Sequence, residues 1–448
     1  MPTGTTASSA RVVAADALTE LEKTEDYADE VLSKYLGSSH LRGSDRALAA
    51  DLYWGTIRWR GRLDSILTPV FHGDYRRADP VARILLRMGA YQLYGQDRIP
   101  DHAAVSQTVE LAIQRLGKKA GGLTNAILRR LARERERWNT PPEGADDLAR
   151  LSFMYSMPRW IVRELVERFG QEDAERALDV ANHRPPISVF LMDASGADLF
   201  EQELDTHEIR WEHSPFLEGY YRLHAPSFPV IQPFLDEGRI SVQDESAGLA
   251  AALLDPAQGE TVLDICAAPG GKTLAMWRKM GGTGQITAVD IDGSRLQRLR
   301  ENLERVGAEN VTLIEADATQ FSAAAFDRVI ADVPCSATGL LRKQPDLRWR
   351  RKSHHIGLQH ALQHEILDRA SEMVKPGGVL VYSTCSILPS ENIDIVQSFL
   401  KTHPEFLRED ARGFLPESVV GEHGDLETFT HIHETDGAFA ARLRRMSH

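Results

Sequence analysis

The sequence predicts a multidomain chain: an all-α N-terminal domain, a small α+β connector, and a C-terminal α/β domain built on a parallel sheet. Three observations carry that expectation. Apolar residues keep helical spacing to about residue 140, a Pro-containing break follows at residues 139–144, and from residue 236 short apolar runs alternate with helical stretches. At 448 residues the chain also exceeds a single ordinary core, since domains run to roughly 100–200 residues each.

In residues 1–140, Val13, Ala17 and Leu21, then Leu48 and Leu52, then Leu85, Met88 and Leu93 recur as one face of a helix would require. Ser44, before Asp45, is placed as an N-cap. The run Asn139, Thr140, Pro141, Pro142, Glu143 and Gly144 reads as a domain linker, because paired prolines cannot continue a helix. The connector, 141–235, then holds two helical stretches, Pro185-Pro186, a strand-like ISVFLM, an amphipathic segment around Leu199 to Leu204, and a strand-like GYYRLH. In 236–448 the expected strands are TVLDIC, QITAVD, VTLIEAD, RVIADVP and GVLVYST. Helices are placed after Gly271, from Ser294 to Val306, and from His354 to Lys375, where Ile356, Leu362, Ile366 and Met373 trace one face and Pro376-Gly377-Gly378 supplies the stop.

A hydrophobic content of 42% with 26% charged residues is that of a soluble globular protein, and no stretch reaches the roughly 18 apolar residues of a membrane span. The opening MPTGTTASSARVV has no basic flank followed by an apolar run, so a cytoplasmic protein without a secretion signal is expected. Cys266, Cys335 and Cys385 are too few for a disulfide framework and lack a CxxC metal spacing, which leaves thiols in a reducing compartment and no metal site. The net charge of −13 opposes indiscriminate nucleic-acid binding. It is unevenly spread: residues 1–140 carry +4, 141–235 carry −9 and 236–448 carry −8, so any RNA contact must use local basic surfaces.

Ligands of open α/β sheets bind at the carboxyl ends of the strands. There the segment Asp264-Ile265-Cys266-Ala267-Ala268-Pro269-Gly270-Gly271-Lys272-Thr273 leaves the first strand and opens a helix, with small residues that let backbone approach a ligand. A nucleotide P-loop needs G-x4-G-K-[ST]; Gly271-Lys272-Thr273 fits its end, but Cys266 stands where the first Gly belongs and Pro269 lacks an N–H for a phosphate. The dinucleotide GxGxxG is absent. An adenosine ligand without phosphates, S-adenosylmethionine (SAM), fits better. Asp290, about 20 residues on, is placed to accept from ribose hydroxyls, and Asp317 from the adenine amino group. Any one strand-end Asp is commonly a turn former, but Asp264, Asp290, Asp317 and Asp332 follow four successive strands.

Carbon 5 of a cytosine is too electron-poor to take a methyl group directly. Adding a thiolate to carbon 6 makes carbon 5 nucleophilic, and a thiolate is the soft nucleophile that such chemistry needs. Cys335 follows RVIADVP and Cys385 follows GVLVYST; if those strands are neighbours, both thiols open onto the edge that carries the cofactor loop. A lone Cys is ordinarily a small buried core residue, whereas two polar-flanked ones at strand ends point to chemistry; Cys266 reads as loop packing. Asp332 is placed to hydrogen-bond the base, and Lys272 to set the electrostatics of the thiolate. Residue positions alone leave open which thiol attacks.

Arg342, Lys343, Arg348, Arg350, Arg351 and Lys352, with Trp349 interleaved, form a basic run beginning seven residues past Cys335. They are expected to bind phosphates and stack a base. Lys118, Lys119, Arg129, Arg130 and Arg133 offer a second basic surface. An unstacked or flipped target base is expected, because RNA sequence is read best in loops and single strands.

Together the segments SVQDESAGLAA (241–251), DICAAPGGKT (264–273), DVPCSATG (332–339), QPDLRW (344–349), YSTCS (382–386) and DGAFAARL (436–443), with Asp290 and Asp317, resemble the Sun/Fmu (NOL/NOP/Sun) family of RNA 5-methylcytosine methyltransferases. Residues 44–130, with SDRALAADLYWGTIR, RIPDHAAVSQTVELA and GGLTNAILRRLA, resemble the NusB-type RNA-binding helical domain, so the resemblance covers essentially the whole chain. It implies a Rossmann-like class I SAM-dependent methyltransferase domain acting on small-subunit (16S) ribosomal RNA. It implies Cys385 as nucleophile and Cys335 as the thiol that assists release. SAM contacts are implied for Cys266, Ala267, Ala268, Pro269, Gly270, Gly271 and Lys272, with Asp290, Asp317 and Asp332. Departures from the family pattern are Val333 and Ala337, where Ala and Gly are commoner, and Ala438, where an aromatic is common. A monomer is expected. The alternatives are a NusB-like assembly factor with an inactive transferase half, and a nucleotidase using Gly271-Lys272-Thr273.

Overall fold

A computed structural model describes residues 9–96, 99–225 and 228–447, so most of the opening stretch read for a secretion signal (1–8) lies outside the described residues. The chain forms two compact units. One, the helical unit, comprises Met1–Asn182 with Gln344–Arg350; the other, the sheet unit, comprises His183–Lys343 with Arg351–His448.

Helices Ala10–Leu21, Ala28–Ser38, Gly43–Arg58, Arg60–Leu67, Pro80–Gly95, Asp101–Leu116 and Lys118–Arg133 make up most of the helical unit. Their apolar stripes meet: Val13, Ala17, Leu52, Leu85, Met88 and Leu93 are all buried, each large one contributing about 1.5–3 kcal/mol. Asp79 accepts from the N–H groups of Val81 and Ala82 and precedes Pro80, which fixes one helix start. The expected cap at Ser44 does not form; the helix begins a residue earlier, at Gly43, whose φ of +52° suits glycine.

The break at Pro141-Pro142 interrupts helices but does not divide units. Helices Asp147–Met154 and Arg159–Val180 belong to the helical unit. The reason is Arg62, nearly inaccessible, whose guanidinium donates to the carbonyl of Trp138 (2.6 Å), the side chain of Asn139 (2.9 Å) and the carbonyl of Met154 (2.9 Å), so one cation binds both flanks of the supposed linker. Units change instead just before the second proline pair, Pro185-Pro186.

The sheet unit holds two sheets. In the smaller, β1 (Ile187–Leu191), β2 (Arg210–His213), β3 (Tyr220–His224) and β4 (Ile240–Val242) run in the order β2-β3-β1-β4, all antiparallel. Helices Ala197–Thr206 and Phe228–Asp236 supply Phe200, Leu204, Ile231 and Phe234 to its core. Just past residue 236, where the α/β pattern is expected to begin, β4 still pairs with β1 through Val189 and Val242.

The larger sheet contains β5 (Thr261–Ile265), β6 (Gln285–Asp290), β7 (Val311–Glu315), β8 (Phe326–Asp332), β9 (Val374–Thr384), β10 (Phe406–Glu409), β11 (Leu426–Thr428) and β12 (Ala438–Arg445). Its order is β10-β12-β9-β8-β5-β6-β7, with β11 on β12; β5 to β9 are parallel, and β10 to β12 add antiparallel pairs. All five expected strands are present, in a Rossmann-like arrangement. Pro376-Gly377-Gly378 lies inside β9 rather than before it. Phe326 pairs with Val374 and Arg328 with Val379, so the extra residues bulge where Gly377 adopts φ +77°. From β5 the chain passes to β6 and β7 on one side and returns to β8 and β9 on the other. That reversal puts a ligand crevice at the carboxyl ends of β5 and β8.

Candidate active site

The cofactor loop leaves β5 at Cys266, which takes φ +63°, and turns through Gly270 at φ +102° into helix Gly271–Lys279. A Cβ on Gly270 would stand 2.0 Å from Leu299, so only glycine lets the loop lie this close to its neighbouring helix. Asp290, ending β6, accepts from the N–H of Ala268 (3.0 Å) and of Asp292 (3.0 Å), fixing the loop from the next strand. Asp317 is exposed beyond β7 and accepts from the Thr319 N–H and hydroxyl, which hold its carboxyl below the usual range.

Two buried polar atoms beside the loop, Gln243 Nε2 and Asp264 Oδ1, have no protein partner, the pattern of a cradle for a polar ligand. Burial pushes the Asp264 carboxyl up to about 7, against the opposing hydrogen bond from Thr273. With no phosphate cradle and strand-end carboxylates in its place, the donor set fits the adenosine and amino-acid parts of SAM.

Because β8 and β9 are adjacent, with Asp332 opposite Ser383, the loops after them bring the two thiols together: Cys335 Sγ lies 3.1 Å from Cys385 Sγ. Cys335 is buried and Cys385 partly exposed. The hydrogen bond with Cys385, then burial, then the charges of Cys385 and Glu391 raise the Cys335 thiol well above its ordinary value. Burial, with Asp290, Asp332 and Asp264 nearby, raises Cys266 strongly too, and its side chain packs against the core behind β5, as a loop-packing residue does.

Asp332 accepts from Lys272 Nζ at 2.7 Å and from the Ser383 hydroxyl at 3.0 Å. Burial works against the Lys272 charge, but Asp332 and, more weakly, Cys385 raise it overall, so an ammonium stands at the Cys385 side of the pair. The loops themselves are tied: Gly339 N–H donates to the Cys385 carbonyl (2.9 Å), and Gln359 and Gln363 donate to the carbonyls of Cys335 (3.1 Å) and Pro334 (3.0 Å).

Most of the basic run 342–352, expected to meet RNA, is buried or half-buried and bonded within the protein. Arg348 is fully buried and donates to the carbonyl of Ala181 (2.6 Å) and the side chain of Asn182 (2.8 Å); burial lowers its pKa to about 9. Trp349 donates to the Ile57 carbonyl (2.8 Å) and packs over Gly61, and Arg350 donates to the carbonyls of Asp26 and Glu25. Lys343 pairs with Asp244 and Asp436, Arg342 donates to the Arg184 carbonyl (3.1 Å), and Arg351 to the Ser336 carbonyl (3.1 Å). Only Lys352 of the seven is exposed. By contrast Lys118, Lys119, Arg129 and Arg133 are exposed along one helix, with Arg130 paired to Glu134. Sequence reasoning missed Glu391, Gln359 and Gln363, which carry no motif of their own, and did not foresee that Lys343 joins Asp244 and Asp436 of two separate motif segments.

Among the described residues no helix is long and apolar enough to cross a membrane, and no group of three or more His, Cys, Asp or Glu is arranged to hold a metal ion.

A family model described as 16S rRNA methyltransferase RsmB/F matches residues 251–444, and one described as NusB family matches residues 8–133. The chain is 33% identical over 451 residues to the probable ribosomal RNA small subunit methyltransferase B of Bacillus subtilis (strain 168), covering 98% of this chain and 99% of that relative. It is 36% identical over 396 residues to the ribosomal RNA small subunit methyltransferase B of Pseudomonas syringae pv. tomato, covering 87% and 86%. Among solved structures, PH0851 superposes with a TM-score of 0.83 at 26% identity over 97% of this chain and 98% of that one. A methyltransferase homolog protein from Pyrococcus horikoshii gives 0.58 at 26% identity over 67% and 100%. With relatives aligned from end to end above 30% identity, the chain belongs to the ribosomal RNA small subunit methyltransferase B family.

Proposed function

We propose that this protein transfers a methyl group from SAM to carbon 5 of a cytosine in 16S ribosomal RNA, through an adduct between Cys385 Sγ and carbon 6. The observation that carries the reading is the thiol pair itself, 3.1 Å apart after adjacent parallel strands and beside the Lys272–Asp332 pair. Cys385 is the attacking thiol because it is the more exposed of the two and has the Lys272 ammonium on its side, whereas Cys335 is held as a buried thiol.

Addition of the Cys385 thiolate to carbon 6 pushes the ring electrons towards N3 and leaves carbon 5 nucleophilic. Asp332 and Lys272 hold the base edge and offset the charge that develops there. SAM supplies the electrophilic methyl carbon. After transfer the carbon 5 proton passes to water, its bonding electrons re-form the double bond between carbons 5 and 6, and the bond between carbon 6 and sulfur breaks with Cys385 leaving as a thiolate. Cys335, in contact with that sulfur, assists this release.

The cofactor is held by the 266–272 loop with Asp290 and Asp317. RNA is engaged by the exposed face of Lys118, Lys119, Arg129 and Arg133 and by Lys352, and the target cytosine is unstacked when it reacts. The protein acts as a cytoplasmic monomer. Incubating unmethylated 16S RNA with the protein and labelled SAM, then mapping 5-methylcytosine by bisulfite sequencing, tests the proposal: a single modified cytosine supports it, and label without a bisulfite-resistant cytosine contradicts it.

A further inference from the structure

Directly behind the two thiols sits a fully buried carboxylate, Glu391, in the short turn Pro389–Glu391. Its Oε1 accepts from the N–H of Ser336 (2.8 Å) and from Gln363 Nε2 (3.1 Å), and its Oε2 accepts from the hydroxyls of both Ser336 and Ser386. Ser336 follows Cys335 and Ser386 follows Cys385, so a single side chain grips both thiol-bearing loops. Its backbone is fixed in turn, its carbonyl accepting from the Tyr382 hydroxyl (2.6 Å), and Asn392 donates to the Ser386 carbonyl (2.8 Å). The two serine hydroxyls also lie 3.2 Å apart, closing the network. A buried charge is retained only where its hydrogen bonds are satisfied, and this one is satisfied by four donors, three of them from the two reactive loops.

We propose that Glu391 is a positioning residue that sets the relation of the two thiols, holding Cys335 as the deeper member against which Cys385 acts. The inference rests on the two-thiol reading given above. Charge supports the geometry: Glu391 is among the anions that raise the Cys335 thiol, while Lys272 stands near Cys385. Among the described residues, the charged or titratable groups that also face the pair include Tyr382, whose hydroxyl is buried, Asp332, paired to Lys272, and Arg351, whose guanidinium holds the Ser336 carbonyl. The anion thus acts on Cys335, whereas the Lys272 ammonium interacts with Cys385.

The experiment uses the full chain with an RNA fragment carrying 5-fluorocytosine, which cannot lose its carbon 5 substituent and so holds the adduct, and with the natural RNA for release. In Glu391→Gln, with melting temperature and SAM affinity as controls for folding, release is slowed roughly tenfold or more. Its alkaline limb also moves to lower pH than in wild type, because loss of the neighbouring anion lets Cys335 ionise more easily. Unchanged release with an unmoved pH profile overturns the proposal. Should Glu391→Gln fail to fold, Ser386→Ala removes one tie without stranding a charge: slower release with normal SAM affinity supports the role, and wild-type release rejects it. Absence of any adduct with the wild-type protein would instead reject the two-thiol reading beneath it.

Discussion

Two polar clusters of this chain look alike in sequence and differ completely in structure. The carboxylates and thiols at the ends of β5, β6, β8 and β9 converge on one crevice, where Lys272 meets Asp332 and Cys335 meets Cys385. The run from Arg342 to Lys352 is denser in charge, yet Arg348, Trp349 and Arg350 spend their donors on backbone carbonyls of the helical unit. What separates the clusters is place in the fold. A residue just past a parallel strand is aimed at the ligand edge by the sheet, whereas an arginine in a loop has five donors and will satisfy any group of carbonyls that it can reach.

Substitutions on each side, read for both activity and stability, put that difference at risk. Lys272→Ala removes the cation from the crevice and strands Asp332; methyl transfer is expected to fall by roughly 10²–10³-fold with little change in melting temperature, measured by label transfer to 16S RNA. Arg348→Ala should do the reverse. It leaves the Ala181, Arg58 and Ser156 carbonyls without their donor and costs about 2–4 kcal/mol in denaturant unfolding, while the salt dependence of RNA binding stays as in wild type. A lowered salt slope with unchanged stability would return Arg348 to the RNA surface.

Asp264 carries the same contrast into pH. Its carboxyl is raised to about 7 by burial, so its contribution to stability is fully present below about 4, its unfolded value, and is lost as pH rises through about 7. Asp264→Asn should therefore flatten the fall of stability between those limits in a pH series of unfolding curves. A fall as steep as in wild type would assign it to another group.

Weaker effects belong to the exposed basic face. Replacing Lys118, Lys119, Arg129 and Arg133 by alanine should reduce the slope of log affinity against log salt by about 0.7 for each single-strand phosphate that is no longer neutralised. Lys352→Ala should change stability by no more than about 0.5 kcal/mol and affinity only slightly. Equal slopes for the fourfold variant and wild type would move the RNA footprint elsewhere.

Much of the sheet unit is legible in the sequence because parallel strands buried on both faces write continuous apolar runs, and turn residues punctuate them. The same logic places Asp290, Asp332, Cys335 and Cys385 at strand ends. Glu391 is illegible: a lone glutamate in a turn after Leu388 has nothing to distinguish it from a solvated one until the fold brings Ser336 to it from 55 positions away. The ties across the first proline pair are illegible for a related reason, since Arg62 joins residues 76 and 92 positions distant on its two sides. Backbone carbonyls, the partners of Arg62 and Arg348 alike, leave no trace in composition.

The two thiols are told apart by what each leaves behind on RNA. Cys335→Ala, incubated with SAM and 16S RNA, is predicted to accumulate a denaturant-resistant protein–RNA adduct. Cys385→Ala should form none while still binding SAM. An adduct that persists in Cys385→Ala and vanishes in Cys335→Ala would exchange the two roles and contradict the assignment made from exposure and charge.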